Sequence, residues 1–325
     1  MRYELAYCAW LLVVSTAIFH LFSQSLTLLR VMPKMRAHFI AADSSPEVNV
    51  PRLFAVILFC AVSTHCFSQV RFVDAWEKRV RITSSQQPGW AVPVFTPSSG
   101  LVQLVRFDAV RQYTPTHTTT WNLDGGKGFN FIPWYRTELD LNLPPFLLHN
   151  AKGSVDGPGD FSMLLKYRVF GANEMKGNYN VSAALGGSAP TGSYKNGSTD
   201  GAVMPTAFVG KGFYSFDVQS SVSMTLPTGH TAASGRPIAW NTAFQDRVNR
   251  IFWPEVEITS TFFRGGPHDG KIQTFVAPGF EVSKIKVTAN ETSRLAVVFG
   301  AGEQIAVTRY HAYNHALSLT SRLVF

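Results

Sequence analysis

Between Phe213 and Leu226 the chain reads FYSFDVQSSVSMTL. Tyr214, Phe216, Val218, Val222, Met224 and Leu226 fall on one face of a two-residue repeat. Ser215, Asp217, Gln219, Ser221, Ser223 and Thr225 fall on the other. A period of two over this length is a β-strand with one apolar and one wet face. The pattern recurs. Phe161, Met163, Leu165, Tyr167 and Val169 oppose Ser162, Lys166 and Arg168. Tyr135, Leu139, Leu141 and Leu143 oppose Arg136, Glu138, Asp140 and Asn142. Val256, Ile258 and Phe262 oppose Glu255, Glu257, Thr259 and Thr261. Globular strands average about 5–6 residues, whereas a strand tilted across a bilayer needs about 9–11. The length of these runs therefore selects a membrane wall over a soluble sandwich or lipocalin-like barrel, in which alternation also occurs but the apolar face points inward.

About twelve such runs can be counted, starting near residues 101, 117, 129, 160, 179, 203, 213, 237, 251, 271, 294 and 314. An even number suits a bacterial outer-membrane barrel. The connectors read as tight at Gly210–Gly212 and Val248–Arg250, and long from Pro190, Pro227 and Arg264. Long outer loops alternating with short periplasmic turns fit the same fold. The expected class is all-β: a transmembrane antiparallel up-and-down β-barrel of about 12 strands over residues 101–325, in the bacterial outer membrane. The chain ends NHALSLTSRLVF, with Leu317, Leu319, Ser321, Leu323 and Phe325 alternating to the last residue. In a closed barrel the last strand must pair with the first, because lipid cannot satisfy an open edge.

Only 15% of residues are charged, against about 25% in soluble domains. The formal charge of +8 is scattered, with no Lys/Arg run of the kind a nucleic-acid binder uses. The three cysteines, Cys8, Cys60 and Cys66, all precede residue 70, so the body has no disulfide, thiolate nucleophile or cysteine metal site. Residues 1–68 hold two apolar runs. Leu53–Gln69, led by Arg52, reads as a signal peptide (about 53–68) with cleavage after Ser68. Leu5–Leu29 reads as a membrane anchor or as sequence upstream of a true start at Met32 or Met35; the second is favoured. Residues 69–100, which include QQPGWAVPVFTPSSG, read as an irregular periplasmic lead segment.

The last 55 residues, with APGFEVSKIKV, RLAVVFGAGEQIAVT and YHAYNHALSLTSRLVF, resemble the outer-membrane channel family named for the meta-pathway of phenol degradation. GPGDFSMLLKYRVF followed by SAPTGSY is similar to that family's middle strands, and the resemblance covers about residues 100–325. It implies a channel or exporter for small, often aromatic, compounds and carries no catalytic motif. The terminal Leu323 and Phe325 also resemble the insertion signal read by the barrel-assembly machinery.

The residues expected to line the lumen are Arg106, Asp108, Arg136, Glu138, Asp140, Lys166, Arg168, Asp217, Gln219, Arg247, Glu255, Glu257 and Arg322. Both signs are present, so they either line an aqueous pore or pair and close it. His311 and His315 are four apart, about 13 Å on a strand and too far for one metal. With Tyr310 and Tyr313 they read as part of an aromatic girdle. His149, His230 and His268 fall in loops, and no Ser–His arrangement of an outer-membrane lipase is visible. Gly300 and Gly302 are expected to leave room inside the barrel or allow a bend. No catalytic residue, cofactor or metal is expected. A channel or transporter for a small-molecule solute is favoured over a structural or adhesion barrel, and both over a lipid-modifying enzyme. The bilayer, the assembly machinery and the solute are the expected partners, and nucleic acid is not.

Overall fold

The structure, a computed structural model, describes residues 73–325 apart from 125–127, 194 and 290–292. The apolar runs of residues 1–68 lie outside the described residues. Among the described residues no helix is long and apolar enough to cross a membrane.

In chain order these are β1 (Leu104–Tyr113), β2 (Thr119–Leu123), β3 (Phe129–Trp134), β4 (Thr137–Asn142), β5 (Phe146–His149) and β6 (Gly157–Pro158). They continue with β7 (Phe161–Ala172), β8 (Tyr179–Ala189), β9 (Ala202–Phe213), β10 (Phe216–Met224) and β11 (Leu226–Pro227). The last five are β12 (Ile238–Asp246), β13 (Phe252–Phe262), β14 (Ile272–Lys286), β15 (Ala296–Ala306) and β16 (His315–Val324). Every neighbouring pair is antiparallel, and β16 returns to β1 over ten residue pairs, from Leu104 opposite Val324 to Tyr113 opposite His315. The sheet is a closed barrel of twelve staves.

Four staves are built from two pieces each; in one of them β11 continues β10 along β9. β1 pairs with β3 at Leu104 and Val105 and with β2 from Ala109 to Tyr113, so β2 and β3 form one interrupted stave. β4 with β5 forms the next, and β6 with β7 the one after. Pro144 and Pro145 explain the second interruption, since neither has an N–H to give the ladder. The expected count of twelve holds, but two boundaries move. Phe129 begins the second half of the second stave, and the third starts at Thr137 after a turn at Tyr135–Arg136. The tight turn expected at Gly210–Gly212 lies inside β9, which runs on to a turn at Tyr214–Ser215.

Side chains are sorted in the reverse of a soluble barrel. Leu319 and Leu185 are more than half exposed, and Val256, Ile258 and Phe299 stand out beside them. Glu138, Glu257 and Glu281 are fully buried, with Lys166, Arg168 and Arg322 almost so. Burying charge while exposing hydrocarbon is favourable only where the outer medium is lipid. Connections at the end carrying Leu104 and Phe325 span 135–136, 173–178, 214–215, 247–251 and 287–295. Those at the other end include 190–201 and 228–237. The first end is periplasmic and the second extracellular. Trp134, Phe170, Phe213 and Tyr214 stand exposed at the periplasmic rim as an aromatic girdle.

Candidate functional site

The segment before β1 is the centre of the structure. Residues 73–85 are helical. Val80 on this helix packs with Leu101 and Ile132 in a small apolar cluster, with Trp76 against it. Residues 86–103 then run inside the barrel. The expectation of an irregular periplasmic lead segment is thus corrected: the segment begins as a helix and continues as a plug. The reason lies in backbone chemistry. Pro88, Pro93 and Pro97 prevent regular structure, and an irregular chain out of water still needs partners for its N–H and C=O groups. The wall charges are those partners.

Carboxylates take the amides. Glu257 accepts from Phe95 N (2.7 Å) and from Thr96 N. Glu255 accepts from Val94 N at 3.1 Å, and Glu138 from Val102 N. Cations take the carbonyls. Arg106 donates to Pro93 O and Val94 O, and Arg322 to Val92 O and Pro93 O. Lys166 donates to Gly100 O (3.2 Å) and Arg168 to Thr83 O (2.8 Å). Gln219 does both: its Oε1 accepts from Ser99 N at 3.1 Å and its Nε2 donates to Ala91 O at 3.0 Å. The charges also meet one another, as in Arg106 with Asp108 (2.8 Å), Lys166 with Glu138 (2.8 Å) and Arg322 with Glu281.

The two alternatives read from the sequence, a charged pore or self-paired charges, omitted this third arrangement. Charge-assisted hydrogen bonds are about twice as strong as neutral ones, so a wall of this kind can seat a segment with little apolar surface. Asp140 accepts from Asn130 Nδ2 at 2.6 Å, and Asp217 lies beside Gln219 Nε2 at 3.3 Å.

Two expected lumen residues stand elsewhere. Arg136 is exposed in the Tyr135–Arg136 turn, because the strand into which it was read is two strands joined there. Arg247 follows β12 at the periplasmic rim, where it is part-exposed and reaches Glu174 at 3.2 Å. Four wall residues escaped the sequence reading. Glu281 is buried on β14, and the alternation of Phe275, Ala277, Gly279, Glu281 and Ser283 carried its signal. Asn180 and Ser182 on β8 donate to Ser99 O, and Gln245 bridges Gln219 to Glu255. Their short or uncharged side chains gave no comparable mark.

Inward glycines complete the seat. A Cβ at Gly210 would stand 2.4 Å from the Trp90 ring, and one at Gly302 2.9 Å from the Phe95 ring. Gly300 and Gly302 therefore do leave room, and the plug fills it. Gly302→Leu is expected to drive Phe95 from its place at about 1–3 kcal/mol. Limited proteolysis of the folded protein reads this: cleavage between residues 86 and 100 should speed up about fivefold or more. An unchanged rate would show that Phe95 does not need the space.

Above the plug tip lies a cavity of about 260 Å³, lined by Val94, Phe95, Asp108, Val110, Gln112, Asn122, Asn241, Thr259, Gln304 and Ser318. Tyr313, from the loop over it, donates to Gln304 Oε1 at 2.7 Å, and burial pushes its hydroxyl up to about 12, so it stays a donor. The histidines are structural here. His315 stacks on Tyr113 with ring centroids 4.3 Å apart and reaches Glu303 at 2.8 Å, while His311 lies 2.8 Å from Thr308 O.

A closed twelve-stave barrel with lipid outside, a charged interior and an internal plug is an outer-membrane β-barrel. Residues 95–248, from the plug tip through β12, match the family model described as "Putative MetA-pathway of phenol degradation", which bears out the resemblance seen in the sequence. No curated protein matches the chain by sequence. Among solved structures, the crystal structure of an outer membrane channel from Pseudomonas putida F1 is similar at TM-score 0.44 and 17% identity, covering 69% of this chain and 94% of that one. The NanC porin is similar at TM-score 0.43 and 10% identity, covering 67% of this chain and 98% of that one.

Proposed function

We propose that this barrel is a gated conduit for small, neutral or weakly polar solutes, aromatic ones among them, and that residues 86–103 are its gate. The observation that carries this reading is the nature of the seal. One irregular segment, held largely by hydrogen bonds to the wall with a small apolar cluster at Leu101, separates a cavity at the extracellular side from the periplasm. Hydrogen bonds of this kind can be exchanged for water one at a time, so the segment can leave without unfolding the staves. The aromatic preference rests on the family description and on Phe95, Val94 and Val110 beside amide and hydroxyl groups in the cavity. Leu323 and Phe325 serve, in the same reading, as the assembly signal.

The runner-up is a structural or adhesion barrel, favoured by the same plug if it never moves. Planar-bilayer recording separates the two. The channel reading expects closed periods broken by discrete openings. The open lumen should prefer cations, because Asp108, Glu138, Asp140, Asp217, Glu255, Glu257 and Glu281 then outnumber Arg106, Lys166, Arg168 and Arg322. A membrane that stays silent at every voltage and after plug removal would leave the structural reading standing.

A further inference from the structure

The outer wall carries a feature unrelated to the conduit. Arg111 lies on the lipid side of β1, two residues from the strand's extracellular end. Its guanidinium lies 5.0 Å from the ring centre of Tyr113 and 5.4 Å from that of Trp121. Its Nε is buried and bonded to nothing. Glu303, on β15 beyond the adjoining β16, is engaged by His315 at 2.8 Å. A cation on the lipid face of a barrel is expensive at mid-bilayer and nearly free at the rim. Held over two rings, a guanidinium gains electrostatic attraction that offsets part of its lost water.

Directly below Arg111 the wall is hollow. A groove of about 480 Å³ is lined by Phe107, Ala109, Phe280, Phe299, Ala301 and Leu319. Its lining is almost wholly apolar. Small residues form part of its floor: Ala109 and Ala301 both lie opposite Leu319 in the ladder, one on each side. Ala109 and Phe107 are two and four residues below Arg111, or about 7 and 13 Å along the strand towards mid-bilayer. An unpaired cation at headgroup level above an apolar channel at acyl-chain level is complementary to one kind of molecule.

We propose that this face of β1, β15 and β16 is a binding site for a phosphorylated lipid of the outer leaflet. Arg111 takes the phosphate, the ring of Trp121 takes the sugar or glycerol face, and one acyl chain lies in the groove. Charge complementarity and the continuity of groove and cation select the lipid. A second copy of this chain would have to bring both a carboxylate and a ridge to the same place.

The test uses the purified full-length protein in detergent, titrated with diphosphoryl lipid A, dephosphorylated lipid A, phosphatidylglycerol and inorganic phosphate. The readouts are the fluorescence of the wild type against Trp121→Phe and the temperature at which the folded band is lost in gels. Diphosphoryl lipid A is expected to raise that temperature and to shift a signal absent from Trp121→Phe. Arg111→Ala should weaken the effect about tenfold or more, and Ala301→Phe, which fills the groove and leaves the cation, should do likewise. Inorganic phosphate alone should do nothing. A stronger response to phosphatidylglycerol would keep the site and assign it a glycerophospholipid. Equal binding of dephosphorylated lipid A, equal binding by both variants, or a full response to free phosphate would overturn the proposal. So would native mass spectra showing a dimer that Ala301→Phe dissociates. Should Arg111→Ala fail to fold, Ala301→Phe carries the test alone, with loss of the lipid A response expected.

Discussion

Glu257→Ala is expected to open the barrel. Glu257 is fully buried on β13, and its two oxygens hold the amides of Phe95 and Thr96 at the tip of the plug. Alanine leaves both amides without their carboxylate partner at a buried position. Each unsatisfied group costs about 1–3 kcal/mol, so the seated plug loses about 2–6 kcal/mol. A factor of ten in population needs about 1.4 kcal/mol, and the plug-out state should rise about 30-fold at the low end. In planar bilayers this appears as longer and more frequent openings. In proteolysis it appears as cutting within residues 86–103 of an otherwise intact barrel. Glu257→Gln keeps one acceptor oxygen and should fall between the two. The barrel's resistance to detergent at room temperature should be unchanged, because the ladders that join β12, β13 and β14 use backbone groups that the substitution leaves in place. Conductance equal to wild type in both variants would mean that the plug is not the gate.

Placing arginine on successive residues of β10 should break two different things. Val218 and Val222 face lipid, whereas Gln219 and Ser221 are buried in the interior. Val218→Arg puts a charge in hydrocarbon at about 2–4 kcal/mol if the site is near mid-bilayer. It should lower the yield of folded barrel and the denaturant midpoint. Gln219→Arg meets no lipid, and from the alternation alone it would pass as harmless. The structure says otherwise for the plug. Gln219 contacts Ser98, Ser99, Ala91 and Gln245, and an arginine has no acceptor to offer Ser99 N. That variant should assemble normally, lose the seat of residues 91–99, and conduct with a shift towards anions. Equal folding yields would contradict the assignment of faces. A Gln219→Arg barrel that stays closed would show that the plug does not depend on this anchor.

Much of this protein can be read in its primary sequence, and the reason is local. A strand shows its two faces at every second residue, so Phe216 against Asp217, or Leu319 against Thr320, reports its environment without knowledge of any neighbour. Length in residues reports span. The paired ends follow from the same logic, and Leu104 opposite Val324 is the closure that the patterned terminus required. Where the local signal was ambiguous the reading slipped. Gly210 and Gly212 look like a turn in one dimension, and in three they make way for Trp90, Ser99 and Asn178. Arg136 alternates properly with its neighbours and yet sits in a turn, because the backbone reverses where no glycine announces it.

The plug was beyond any local reading. Residues 86–103 have no period, and their proline and serine content is that of an ordinary linker. What places them inside the barrel is a set of partners far along the chain: Glu257 for Phe95, Gln219 for Ser99, Arg322 for Pro93. Each partner alone reads only as an inward polar residue of a strand. The sequence by itself determined the strands, their faces, their number and the medium outside, because those depend on residues two apart. Tertiary structure alone decided what the inward charges hold, because a hydrogen bond between residues more than 100 apart leaves no period in the sequence.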